Sequence, residues 1–200
     1  RDAELEKAEL AGVDLRETCL ARADLRGAML RGADVRNANL RSARLADADL
    51  VRAQLRRTDL VAADLAGADL READLGTAHL VGADADGARF DGAKLPGVDA
   101  STATFRRARF TDANLRRAVL DEAVLAGADL SGADLTGANL SGASLVDADL
   151  TGAELSAVVW SDETRWPGTL AGTIRDRSEP IGPGAYRIRP AAGKHSRIPA

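Results

Sequence analysis

An apolar residue recurs at every fifth position from Leu5 to Leu155, and the phase never slips. Of these 31 positions 25 are Leu; the others are Val35, Ala85, Phe90, Ala100, Phe105 and Phe110. Two residues before each stands Ala in 27 cases, with Val13, Thr18, Thr58 and Val98 as the departures. A period of five suits neither standard element. On an α-helix five residues advance about 500°, so successive Leu wander around the axis. In a continuous strand an odd period sends successive Leu to opposite faces. Within one unit, however, Ala and Leu are two apart and point the same way, and the residues after Leu, often Ser-Gly, Thr-Gly or Arg-Gly, are turn formers. Each unit is a short extended piece followed by a bend. A chain that bends this way every five residues, apolar pair inward, coils around its own core and stacks successive coils at about 4.8 Å.

The run ADLSGADLTGANLSGASL, from Ala128 to Leu145, resembles the pentapeptide-repeat family, whose unit is A(D/N)LXX. The resemblance covers about three quarters of the chain and implies an all-β fold, a right-handed quadrilateral β-helix with four units per coil. The 31 units then make about eight coils, a rod about 37 Å long. Four units per coil place residues 20 apart in one column. Phe90 and Phe110 then stack, and Phe105 lies over Ala85 with Ala100 in the coil between, so ring volume is matched by a nearby deficit as a close-packed core requires.

After Trp160 the period ends. All prolines but Pro96 fall from Pro167 onward, and the organisation reads as a repeat domain over 1–160, a short non-repeat cap over 161–190 and a disordered tail over 191–200. Trp160 and Trp166 are the residues to plug the end of the coil, since a solenoid end exposes sheet edge and core. A short helix is expected over 169–178 and a short strand over 185–189.

Aromatic residues are only 3% of the chain, so the core is built of Ala and Leu. The one cysteine, Cys19, has no disulfide partner in the chain, and no apolar run approaches the roughly 20 residues of a membrane span. With no signal-peptide pattern, the expectation is a cytoplasmic protein that binds no membrane. Arg1 opens the sequence with the repeat already in phase, which is compatible with natural sequence before it.

Catalytic patterns are missing from the sequence. Of two histidines His195 lies in the tail, and His79 falls between Asp59 and Asp99 in its column, a loose array read as solvated surface rather than a metal site. No phosphate loop, nucleophile elbow or zinc spacing is present, and no cofactor is expected. Charge says more. Acids exceed bases by 27 to 20 over residues 1–155, and bases exceed acids by 7 to 4 in the tail. Seven acids, Asp121, Glu122, Asp129, Asp134, Asp147, Asp149 and Glu154, occupy 118–155 without a Lys or Arg, and are the candidate partner-binding surface. Just before them Arg106, Arg107, Arg109, Arg116 and Arg117 are opposed in sequence only by Asp112 and form a candidate basic belt. Arg16, Arg36 and Arg56 share a column nearer the start.

These features point away from an enzyme and toward a scaffold whose rigid charged faces hold a protein partner, with no direct nucleic-acid binding. The resemblance implies an alternative. Some pentapeptide-repeat proteins mimic duplex DNA and bind type II topoisomerases, DNA gyrase or topoisomerase IV, and a homodimer through a coil end belongs to that picture. The arginine belt opposes it, because a site built for phosphates repels cations.

Overall fold

In the computed structural model, which describes residues 3–190 and 197–198, the residue before each central apolar position pairs in parallel with the residue 20 further on. Glu4 pairs with Asp24, Asp24 with Arg44, and so on to Asn139 with Val159. Four units therefore make one turn of a β-solenoid. Its four faces are numbered here from Leu5, Leu10, Leu15 and Leu20, which begin them. The ladder uses three backbone bonds per unit: Asp24 N donates to Ala3 O at 2.8 Å, Leu25 N to Arg44 O at 2.7 Å and Gly27 N to Ala46 O at 2.9 Å.

Each corner is closed by a bond from the next Ala N–H to the central residue's carbonyl, as in Ala28 to Leu25 at 3.0 Å. The second residue after each central position has φ between 55° and 70°. One positive φ at the third turn residue is the mark of a type II bend. Glycine adopts it freely, yet many corners carry other residues, among them the β-branched Thr77 and Thr102, so the stacked ladder holds an unfavourable backbone conformation at those positions.

The central residues from Leu25 to Leu155 are at most 2% exposed, whereas Leu5, Leu10, Leu15 and Leu20 are only partly buried. Burying a Leu of this kind contributes about 1.5–3 kcal/mol. The expected aromatic compensation is present. Phe90 and Phe110 stack with centroids 4.7 Å apart, and Phe105 meets both edge-on at 5.9 and 5.3 Å. Thr58, in an Ala position with no exposure, donates its hydroxyl to Val35 O at 2.8 Å and so is not left unpaired.

Beyond the repeats come β1 (Val159–Ser161), α1 (Ala171–Asp176), β2 (Ser178–Gly182) and β3 (Ala185–Ile188). The strands form an antiparallel sheet in the order β1-β3-β2, continued from the solenoid because Val159 also pairs with Asn139. The helix is shorter than the 169–178 expected, and β2, whose sequence SEPIG reads as loop, was not anticipated. Trp160 and Trp166 are both buried, edge to face at 6.1 Å, and Trp160 stacks on Tyr186 at 4.6 Å. The Trp160 indole N–H donates to Ser178 Oγ at 2.9 Å. Of the segment expected to be disordered, 191–196 and 199–200 lie outside the described residues. Arg197 and Ile198 return to the rod: Ile198 is buried, and its backbone exchanges bonds with Gly152 and Ala153 at 2.8 and 3.0 Å.

Candidate partner-binding faces

Where Asp or Asn stands before the central residue, as at 16 of the 31 positions, its side chain reaches the surface and its carboxylate or amide oxygen closes the bend. Asp64 accepts from Ala66 N at 3.1 Å, Asp134 from Thr136 N at 3.0 Å and Asn139 from Ser141 N at 3.1 Å. This is the Asx-turn, with an acceptor reaching the amide two residues on. It gives the repeat's acids a structural duty before any functional one.

The seven candidate acids do not share a face. Asp129 and Asp149 stand on the second face, Asp134 and Glu154 on the third, Asp121 on the fourth with Glu122 at its corner, and Asp147 at the corner between the first and second. Burial pushes the Asp129 carboxyl up, but hydrogen bonds from Ser131 and Thr111 outweigh it and hold the group below its ordinary value. Asp134 is likewise held low against burial, by Thr136 and Arg116. Asp121 goes the other way. Burial, then the neighbouring Asp99 and Glu122, push its carboxyl up, and its Oδ1 is buried without a hydrogen-bond partner among the described residues.

The arginine belt is corrected in the same manner. In sequence only Asp112 opposes it; in space Arg106 pairs with Asp86 at 3.3 Å, Arg109 with Asp91 at 2.9 Å and Arg116 with Asp134 at 2.9 Å. Arg107 and Arg117 make no ion pair among the described residues. The five spread over the first, second and third sides, because one coil takes 20 residues and the belt spans 12. A surface groove of about 540 Å³ runs past Arg106 and Arg107 over Gly127 to Asp147. The third-face arginines are also paired, Arg16 and Arg36 with Asp14 and Asp34, and Arg56 with Asp74. Asp14 is lowered to about 2, first by its hydrogen bond from Arg16, and Asp24 to about 2, first by that from Arg26.

Banding along the rod was missed by residue-by-residue reading, though its signal lay in the sequence. Between Arg16 and Arg57 stand ten arginines and five acids. The next stretch, from Thr58 to Phe105, has nine acids and three bases. Arginines of the first band reach acids of the second across coils, Arg41 to Asp59, Arg52 to Glu72 and Arg56 to Asp74. The charges thus stitch neighbouring coils together. His79 is exposed and pairs along its column with Asp59 and Asp99; among the described residues no His, Cys, Asp or Glu group has metal-binding geometry, and no helix is long and apolar enough to cross a membrane.

A family model described as pentapeptide repeats matches the chain in eight copies, over residues 8–47, 38–76, 48–84, 86–121, 103–142 and 118–156. The chain belongs to the pentapeptide-repeat family. Among solved structures it is similar to HetL, a pentapeptide repeat protein involved in heterocyst differentiation regulation from the cyanobacterium Nostoc sp. strain PCC 7120, with 34% identity over 80% of this chain and 82% of that one and a TM-score of 0.32. It is also similar to QnrB1, a plasmid-mediated fluoroquinolone resistance protein, with 18% identity over 88% and 92% of the two chains and a TM-score of 0.58, a likeness of fold alone. Rfr23, a pentapeptide repeat protein from the cyanobacterium Cyanothece 51142, shares 28% identity over 44% of this chain and 63% of its own, with a TM-score of 0.29. No curated protein matches. For this pentapeptide-repeat chain the comparisons give no enzyme family.

Proposed function

We propose that this chain is a non-catalytic interaction scaffold, a right-handed quadrilateral β-helix of about eight coils that holds a protein partner on rigid charged surfaces. The observation that carries the reading is the fixed outward lattice: charged side chains sit in columns at the strand spacing, many tied to their neighbours by cross-coil pairs such as Arg44 with Asp24 at 3.0 Å and Arg52 with Glu72 at 2.8 Å. A lattice held in this way meets a partner with little side-chain ordering left to do. Site-specific photo-crosslinkers placed outward on each of the four faces test it in the native host. A scaffold gives a discrete adduct from one face or edge; adducts from none of the four overturn the reading.

The second reading, a topoisomerase-binding DNA mimic, is favoured by the acid-only stretch from Asp121 to Glu154. Against it stand the dispersal of those acids around the rod and the turn and ion-pair bonds that occupy Asp129, Asp134 and Asp149. Purified DNA gyrase should supercoil normally with micromolar protein present. Inhibition at sub-micromolar concentration, lost on reversing Asp129, Asp134 and Asp149 to Lys, would make the mimic the leading reading.

A further inference from the structure

Nearly every Lys and Arg of the repeat body is tied to a partner, and three of the four exceptions gather on one edge. Among the described residues of the repeat body, only Arg57, Lys94, Arg107 and Arg117 have neither an ion pair nor a side-chain hydrogen bond. Three of these four belong to the third face or to its corner with the fourth. Arg57, Thr77, Gly97 and Arg117 form one corner column, joined by backbone bonds from each residue's N–H to the carbonyl one residue before its successor in the column, as in Arg57 to Gly76 at 3.2 Å and Gly97 to Arg116 at 2.9 Å. Lys94 stands exposed on the third face between the coils of Arg57 and Arg117.

The turn pairs between the two arginines, Gly76-Thr77 and Pro96-Gly97, carry no charge of their own, and the one charged group lying over them is the Arg56 guanidinium, which covers Gly76 and pairs with Asp74 at 3.5 Å. Neighbouring acids are engaged elsewhere: Asp74 by Gly76 N at 3.0 Å and by Arg56, Asp59 by Arg41 at 3.1 Å, and Asp99 by Ser101 Oγ at 2.8 Å. The Arg117 stem leans over Gly137 of the following coil, where an added Cβ would lie 3.6 Å from its Cγ. The edge is a saddle with a free guanidinium at each end and a free ammonium at its side.

We propose that this edge docks an acidic segment of a partner protein lying extended along the rod axis. The proposal rests on the scaffold reading and gives it a partner chemistry. Arg57 and Arg117 are three coils apart, about 14 Å at the strand spacing, which is the distance between residues i and i+4 on one side of an extended chain. A polypeptide can place its carboxylates at those points and leave its other side chains neutral. Duplex nucleic acid cannot, for it carries a charge every 1.7 Å or so of axis. Such a polyanion would lie against Asp59, Asp99, Asp121 and Glu122 on the adjoining fourth face, on a rod whose first 155 residues hold 27 acids to 20 bases.

The probe is a fluorescent peptide of about eight alternating Glu and Ser residues, long enough when extended to span the saddle. Binding is followed by anisotropy to the whole protein at low ionic strength and again at about 0.15 M salt, where it should be markedly weaker. Arg57→Gln, Lys94→Gln and Arg117→Gln should each weaken it by roughly threefold, the scale of a single exposed pair. Arg107→Gln, which removes the fourth free cation at the corner between the first and second faces, should leave it unchanged. Failure of the peptide to bind at low salt, or equal loss with Arg107→Gln, overturns the proposal. So does tighter binding, through the same three residues, of a single-stranded oligonucleotide with matched charge, which would assign the edge to nucleic acid. Crosslinks from another face with no peptide binding here would sink this edge and leave the scaffold reading standing, whereas no adduct from any face sinks both.

Discussion

The repeat body and the cap solve one problem by opposite means. The body buries Leu130 in a column between Phe110 of the coil before and Leu150 of the coil after, an arrangement repeated at the central positions along the body, each coil sealing the next. The cap does it once, with a unique set: Trp160 on Tyr186, Trp166 edge-on to Trp160, and Ile174, Ile188 and Ile198, all buried. A repeated interface spreads its stability over nearest neighbours, so damage is local in origin but breaks the stack where it falls. The cap has no second copy of any contact. Leu5, Leu10, Leu15 and Leu20 are only partly buried, whereas Leu140 to Leu155, beneath the cap, are at 2% exposure or less.

The largest expected effect is in the body. Leu130→Asp puts a carboxylate where the side chain has no exposure and only apolar neighbours, and should cost about 4 kcal/mol or more, lowering Tm by on the order of 10 °C. Thermal melting checks it; an unchanged Tm would mean that the repeat does not carry its stability in its central column. Deleting residues 161–200 tests the cap. The truncated rod should associate or aggregate, because its last coil then offers open sheet edge and the apolar surface of Leu145, Leu150 and Leu155. Light scattering decides, and a monodisperse truncated protein of the same oligomeric state would show that the cap's particular contacts are dispensable. A smaller effect sharpens the picture of the corners. Thr102 is β-branched at φ 58°, and Thr102→Gly should raise stability by about 0.5–1 kcal/mol, the relief of left-handed strain exceeding the entropy that glycine costs. Lower stability would mean that the corner geometry is not strained.

The same division governs what could be read from the sequence. The solenoid was legible because its phase holds from Leu5 to Leu155, and a period of 20 then fixed Phe90 on Phe110 without any side-chain geometry. The cap was half legible. Ala185–Ile188 reads as a strand, but Ser178–Gly182 carries Pro180 and Gly182 and becomes a strand only through pairing with β3, a tertiary cause that local propensity does not contain. The charges were misjudged for a related reason. Counting along the chain puts Arg116 beside Arg117 and far from Asp134, while the coil brings Asp134 to 2.9 Å and leaves Arg117 without an ion pair among the described residues. Two adjacent arginines at a turn face different surroundings, and only the corner geometry tells them apart.

Asp121 departs from the body's commonest acid position, as Asp91 and several other turn acids do, and it carries the smallest prediction. Most of the body's acids precede the central residue and accept the amide two residues on, whereas Asp121 follows Leu120 and has no such bond. Burial, with Asp99 and Glu122 close by, raises its folded-state pKa above the unfolded value. A raised carboxyl favours the protonated form in the folded chain, so its contribution is fully present below the unfolded pKa and is lost as pH rises through the folded one. At neutral pH the ionised group is therefore a liability. Asp14 and Asp24, lowered to about 2, act in the opposite sense: their stabilisation is present above the ordinary carboxylate pKa and fades as pH falls toward 2. Asp121→Asn keeps the side-chain shape and removes the charge, and should raise Tm at pH 7 by on the order of 1–2 °C, the scale of a surface substitution. The gain should shrink as pH falls through the raised folded-state pKa and be gone once pH is below the ordinary carboxylate value of about 4. A gain that persists unchanged at low pH would trace the effect to the amide's hydrogen bonds, and a Tm lower than wild type at pH 7 would show that the Asp121 carboxylate supports the fourth face.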